Sequence, residues 1–118
     1  MHRTFTITLP ADTAFHSLWD SIVASGACDQ QGNTLVSGVK DDGIITDRVC
    51  ELQIQSQATG TDTISVSDRN NANEAGFTML KTAAPFITRS SRNSICLKDY
   101  YIKGSAVSMP YTATIESI

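Results

Sequence analysis

Charge and aromatic rings are scarce in this chain of 118 residues, and paired cysteine spacing is missing. Asp, Glu, Lys and Arg make up 18% of it, against about 25% in an ordinary globular domain. The balance is a net charge of -3 with a pI near 5.1. A surface so thinly and negatively charged is poorly suited to holding nucleic acid by phosphate neutralisation, which takes clustered Lys and Arg. Aromatic residues reach 7%, with a single Trp, so there is little to line a sugar cleft. The cysteines, Cys28, Cys50 and Cys96, are an odd set without CxxC spacing. That pattern leads us to expect free thiols in a reducing compartment rather than a disulfide scaffold. The two histidines, His2 and His16, fall in different segments, and there is no HExxH or paired Cys spacing for zinc. No stretch approaches the roughly 18 consecutive apolar residues of a membrane-spanning helix. The amino terminus alternates apolar and polar residues instead of forming a signal-peptide core. The expectation is a soluble protein with no membrane partner and no cofactor.

What is present is ordinary in amount and regular in arrangement. Hydrophobic residues make up 41% and the mean hydropathy is -0.11, enough to bury one core. The length fits a single domain over residues 1–118. Polarity is carried by Ser and Thr, and Thr favours strands. Phe5, Ile7 and Leu9 share one face of a first strand, which Pro10 ends. Asp12 stands where a helix N-cap would, and Phe15, Leu18, Trp19, Ile22 and Val23 then recur at helical spacing as far as Gly26. This predicts a short helix over residues 12–26, laid on a sheet. Its apolar stripe could also fill a partner's groove.

Residues 27–47, punctured by Gly32, Gly38 and Gly43, read as loops around short strands at Leu35-Val36 and Ile44-Ile45. From Arg48 the alternation sharpens. Cys50, Leu52 and Ile54 share a phase, a turn follows at Thr59-Gly60-Thr61-Asp62, and Ile64 and Val66 mark the return strand. Phe77 and Met79 follow a polar loop, with further strands at Phe86–Arg89, Ser94–Lys98 and Tyr100–Lys103. Val107, Met109, Tyr111, Ala113 and Ile115 alternate to the end, interrupted by Pro110. Short strands every 8–12 residues with Gly, Asn and Ser turns are the pattern of an all-β antiparallel sandwich or jelly roll, here with one short N-terminal helix.

Catalytic chemistry finds little support. His16 beside Ser17 is adjacency, not a triad. The loop from Asp62 to Glu74 holds oxygen donors suited to calcium but lacks EF-hand spacing. Asp41, Asp42, Asp47 and Glu51 could converge as a hydrolase carboxylate pair. Arg89, Arg92, Lys98 and Lys103 interleave with Tyr100 and Tyr101, which could make a local anionic contact but reads better as a polar sheet face or the rim of a protein contact.

One stretch carries a resemblance. Glu51-Leu52-Gln53-Ile54-Gln55, a glycine turn, Ile64-Ser65-Val66-Ser67-Asp68, Gly76-Phe77 with Leu80, Asn93-Ser94-Ile95-Cys96-Leu97 and Tyr101-Ile102-Lys103-Gly104-Ser105 follow one another. From about Arg48 to Ile118 this order resembles small β-sandwich structural proteins of tailed bacteriophages; the amino-terminal strand and helix lie outside the pattern. The resemblance implies a non-enzymatic virion protein, a head decoration or auxiliary capsid subunit assembled in the host cytoplasm. Its partners would be other virion proteins and copies of itself. Phe15, Trp19, Ile22, Tyr100 and Tyr101 are the candidate interface residues. The alternative is a carbohydrate- or receptor-binding module of a tail or fibre, with Tyr100, Tyr101, Tyr111 or Trp19 stacking on sugar rings.

Overall fold

The computed structural model describes residues 2–24, 47–68, 77–79 and 84–118. Within them the chain is mostly β, with three antiparallel sheets and one helix. In chain order the elements are β1 (His2–Thr8), β2 (His16–Ser17), α1 (Leu18–Ala24), β3 (Arg48–Val49), β4 (Glu51–Ser56), β5 (Ile64–Ser67), β6 (Phe77–Met79), β7 (Phe86–Arg89), β8 (Ile95–Cys96), a 3-10 turn (Leu97–Asp99), β9 (Tyr101–Gly104) and β10 (Pro110–Glu116).

The pairing follows a simple rule. β1 pairs with β10, β2 with β9, β3 with β8, β4 with β7 and β5 with β6, so the two numbers of each pair sum to eleven. The described chain is therefore one long antiparallel ribbon whose closed end lies between β5 and β6. Two further ladders, β10 with β4 and β9 with β5, join the ribbon across its width. The result is one sheet in the order β1-β10-β4-β7, a second in the order β2-β9-β5-β6, and the small pair β3-β8.

Alternation supplies the core, because side chains of one parity leave a strand on one face. Phe5, Ile7, Leu52, Ile54, Tyr111, Ala113 and Ile115 come from the first sheet, and Ile64, Val66 and Ile102 from the second. Leu18 and Ile22 of α1 join the same cluster. The expected first strand and its buried face are present as read, and Leu9 N–H still bonds Met109 C=O at 2.9 Å beyond the strand's end.

Several expectations are corrected. The described part of the helix begins at Leu18, not at residue 12. Ser17, whose hydroxyl accepts the Asp20 N–H at 3.3 Å, occupies the capping position. Asp12 instead closes a local turn by accepting the Ala14 N–H at 3.0 Å, the competing use of an Asx side chain. Phe15 therefore precedes the helix, and its periodicity with Leu18 is fortuitous.

Cys50 is half-buried rather than a core residue. Both its N–H (2.8 Å) and its thiol (3.2 Å) donate to Glu116 C=O, while Glu51 is the residue in register with Glu116. Two residues thus oppose one, as at a bulge, and the inward phase slips from Val49 to Leu52. Val107 is 57% exposed and lies in a loop. That loop turns through Ser108, at φ 55°, so Pro110 opens β10 and does not interrupt a longer strand. Only Ile95–Cys96 of the Ser94–Lys98 segment is strand, since Leu97 turns into the 3-10 helix. The readings made for Gly26, Cys28, the strands within residues 27–46, Asp41 and Asp42, the loop at 69–76 and Leu80 lie outside the described residues.

Candidate interaction surface

The clearest surface feature is the outer face of the first sheet. Register places Thr4, Thr114, Gln53 and Ile87 in one row across β1, β10, β4 and β7. Thr6, Thr112 and Gln55 form the next. The Thr4 and Thr114 hydroxyls lie 3.1 Å apart, the cross-strand Thr pair that strand packing favours. None of these residues is charged, and the row includes Ile87 at 41% exposure. Among the described residues, charge enters this face in the row beyond, where Arg89 Nε donates to Glu51 Oε1 at 2.8 Å. This pair is solvent-exposed and contributes little to stability. The face is thus hydroxyl- and amide-bearing, and uncharged over its middle.

The second sheet differs. All four residues of β5 are buried, including the outward-phase Ser65 and Ser67. Ser65 shares a hydrogen bond of 2.9 Å with Thr78 Oγ1 and stands in register with Lys103, while Ser67 stands in register with Tyr101. Short hydroxyl side chains between long neighbours are covered even on an outer face.

The sheet edges are unequal. β2 has two residues, β6 three and β7 four, but β1 runs for seven. Between β6 and β7 an aromatic row bridges the two sheets. The Phe77 and Phe86 ring centres lie 5.7 Å apart and those of Phe86 and Tyr100 6.0 Å apart, all tilted, within the range of favourable ring contacts. Phe77 is 43% exposed at the end of this row.

The five residues singled out from the sequence do not share one open patch. Ile22 and Phe15 are buried in the chain's own packing, and Lys103 Nζ sits 5.3 Å from the Phe15 ring centre. Trp19 is half-buried against the core, with Lys98 Nζ 5.8 Å from its ring centre in a cation–π contact. Lys98 also faces Asp47 at 3.6 Å. Tyr100 is half-buried in the aromatic row, and burial raises its hydroxyl's pKa above the ordinary value. Tyr101 lies half-buried on β9, in register with Ser17 and Ser67. The outer Thr and Gln rows were missed because alternation shows only that such residues point outward. Which of them become neighbours depends on register.

Other polar groups are local. His16 Nε2 and Asp12 Oδ1 lie 2.7 Å apart, and this bond, followed by the Ala14 N–H, holds the Asp12 carboxyl below the usual carboxylate range. Cys50 and Cys96 are free thiols. No three His, Cys, Asp or Glu residues come close enough to hold a metal ion among the described residues, and no described helix is long and apolar enough to cross a membrane. Scans against protein-family models, curated proteins and solved structures return no match to this chain.

Proposed function

We propose that this chain is a jelly-roll subunit of a tailed-bacteriophage virion, a head decoration or auxiliary capsid protein that acts through its surfaces and not by catalysis. The jelly roll is read from the pairing rule. With the short β3-β8 pair set aside, eight strands remain, and counted afresh from one to eight in chain order the sheets β1-β10-β4-β7 and β2-β9-β5-β6 run 1-8-3-6 and 2-7-4-5, the order produced by wrapping one antiparallel ribbon around a core. That architecture serves viral capsid proteins, lectins and cupins alike, so the fold alone does not select among them.

The observation that carries the choice is the uncharged outer face of the first sheet, built from Thr4, Thr6, Thr112, Thr114, Gln53, Gln55 and Ile87. In a chain of net charge -3, a face without charge can pack against a copy or a lattice neighbour without like-charge repulsion or the desolvation of ions. The carbohydrate-binding alternative draws less support, since Tyr111 is buried and Trp19 and Tyr100 pack against the core. The proposed partners are virion proteins and further copies of this chain, with assembly in the host cytoplasm.

The test is co-sedimentation with DNA-free heads of the encoding phage, together with mass spectrometry of its purified virions. Saturable binding to heads and recovery of the chain from virions at high copy number are expected. Absence from virions combined with no binding to heads would overturn the assignment.

A further inference from the structure

We propose that β1 is a self-pairing edge: two copies of the chain join their first sheets by antiparallel pairing of β1 with β1 across a two-fold axis at Thr6. The inference rests on the reading above only in treating the chain as an assembly protein; its structural basis is separate.

Hydrogen-bond direction along β1 is set by its neighbour. Leu9 N–H bonds Met109 C=O on the β10 side, and in an antiparallel ladder main-chain groups alternate between the two sides. Ile7 and Phe5, in register with Tyr111 and Ala113, therefore turn toward β10. Thr4, Thr6 and Thr8 turn their N–H and C=O groups to the outer edge, where no described strand pairs with β1.

Proteins usually blunt such edges by shortness, Pro, Lys or a bulge. The other three edges are short, at two, three and four residues. Thr4-Phe5-Thr6-Ile7-Thr8 has none of these devices.

A second copy fits this edge because the edge is self-complementary. Centring the axis on Thr6 sets Thr6 opposite its own copy and Thr4 opposite Thr8. Each of these pairs can exchange two main-chain bonds. Phe5 then faces Ile7 on the core side, only Thr side chains meet on the outer side, and no charged residue stands within the paired Thr4–Thr8 stretch, Arg3 falling at its end opposite Leu9. An isologous contact of this kind closes at two subunits. Pairing β1 with β7 head to tail would leave an open chain, and β7 has only Ile87 and Arg89 in the outward phase to meet three threonines.

Multi-angle light scattering and sedimentation on the intact chain test the proposal. The unmodified chain should be a dimer. T6K and T6E place like charges directly opposite each other, and each should weaken dimerisation at least about tenfold. An equimolar mixture of the two should restore the dimer. Thr6 is exposed, so both variants keep the core intact, and circular dichroism verifies this. Hydrogen exchange at the Thr4, Thr6 and Thr8 amides should be slow in the dimer and fast in T6K.

A chain monomeric at about 100 µM, where a Kd of about 1 µM would leave most of it paired, overturns the proposal. So does an oligomer that T6K leaves unchanged. A dimer that binds no virion component would retain the edge pairing and remove the virion assignment; a monomer that binds heads would do the reverse.

Discussion

The hydroxyl of Tyr111 is buried facing Ser21 of α1, yet it completes no hydrogen bond. Ser21 Oγ donates to Ser17 C=O at 2.9 Å, and its lone pairs do not meet the Tyr111 O–H in bonding geometry. A buried, unmade hydroxyl bond costs on the order of 1–3 kcal/mol. Y111F keeps the ring and removes the polar atom, so it is expected to raise stability by about 1 kcal/mol in urea unfolding. A loss of stability would show that the hydroxyl has a partner.

The same burial predicts the alkaline behaviour. Desolvation raises the Tyr111 pKa far above its ordinary value, while the unfolded chain ionises near pH 10. The folded pKa is the higher one, so the contribution is fully present below about pH 10 and is lost as the pH rises further, because the unfolded state releases a proton that the folded state retains. Tyr100 shifts in the same direction, with burial as its main cause. Unfolding midpoints measured from pH 8 upward should therefore fall above about pH 10, and less steeply in Y111F; equal slopes would refute the assignment.

Ser17 capping of α1 makes a separate prediction. S17A removes the acceptor for Asp20 N–H and should cost about 1 kcal/mol, with S17N recovering most of it. Thermal denaturation of the three proteins measures this. No difference between S17A and the parent would mean that the helix start is held by packing alone.

Gly104 and Gly60 should respond to Ala for different reasons. A Cβ on Gly104 would lie 2.8 Å from Met109 Sδ and 2.9 Å from Ala106 O. The sulfur can move, but the main-chain oxygen cannot do so without shifting the 105–109 loop. G104A should cost about 1–3 kcal/mol as an overpacking change. Gly60 has open space and φ of 67°, so G60A should cost about 1 kcal/mol through backbone strain alone, and G60N less. Denaturant midpoints for the set distinguish crowding from strain.

The Asp12–His16 contact sets an acid-side expectation. Because the folded Asp12 pKa is lowered, chiefly by the His16 hydrogen bond, its contribution is present above the ordinary value of about 3.9 and is lost as the pH falls through the folded value. In an NMR titration the Asp12 carboxyl should have a midpoint below about 3.9, moving upward in H16F. An unchanged midpoint would indicate that the contact is not formed in solution.

Much of the β framework was legible along the chain. Phe5, Ile7 and Leu9, then Leu52 and Ile54, then Ala113 and Ile115 alternate with polar residues and are buried as alternation requires. Reading failed where a local feature shifted the phase. The doubled Cys50 and Glu51 opposite Glu116 broke parity, Ser108 turned an alternating run into a loop, and the Ser17 cap displaced the expected helix start. Each is a main-chain hydrogen bond or dihedral that side-chain periodicity does not encode. The interaction surface was legible only as composition: Ser and Thr in the outward phase, with no indication of which would become neighbours.

The sequence by itself determined that this chain is β-rich, low in charge and faced with hydroxyl side chains, because alternation and composition are properties of single segments. Tertiary structure decided the rest. Register between strands far apart in sequence gathered Thr4, Thr114, Gln53 and Ile87 into one uncharged row. Sheet order left β1 a long edge that no described strand pairs on its outer side, and buried Ser65 and Ser67 despite their outward phase. Pairing across the ribbon is a relation between distant segments, and no local pattern carries it.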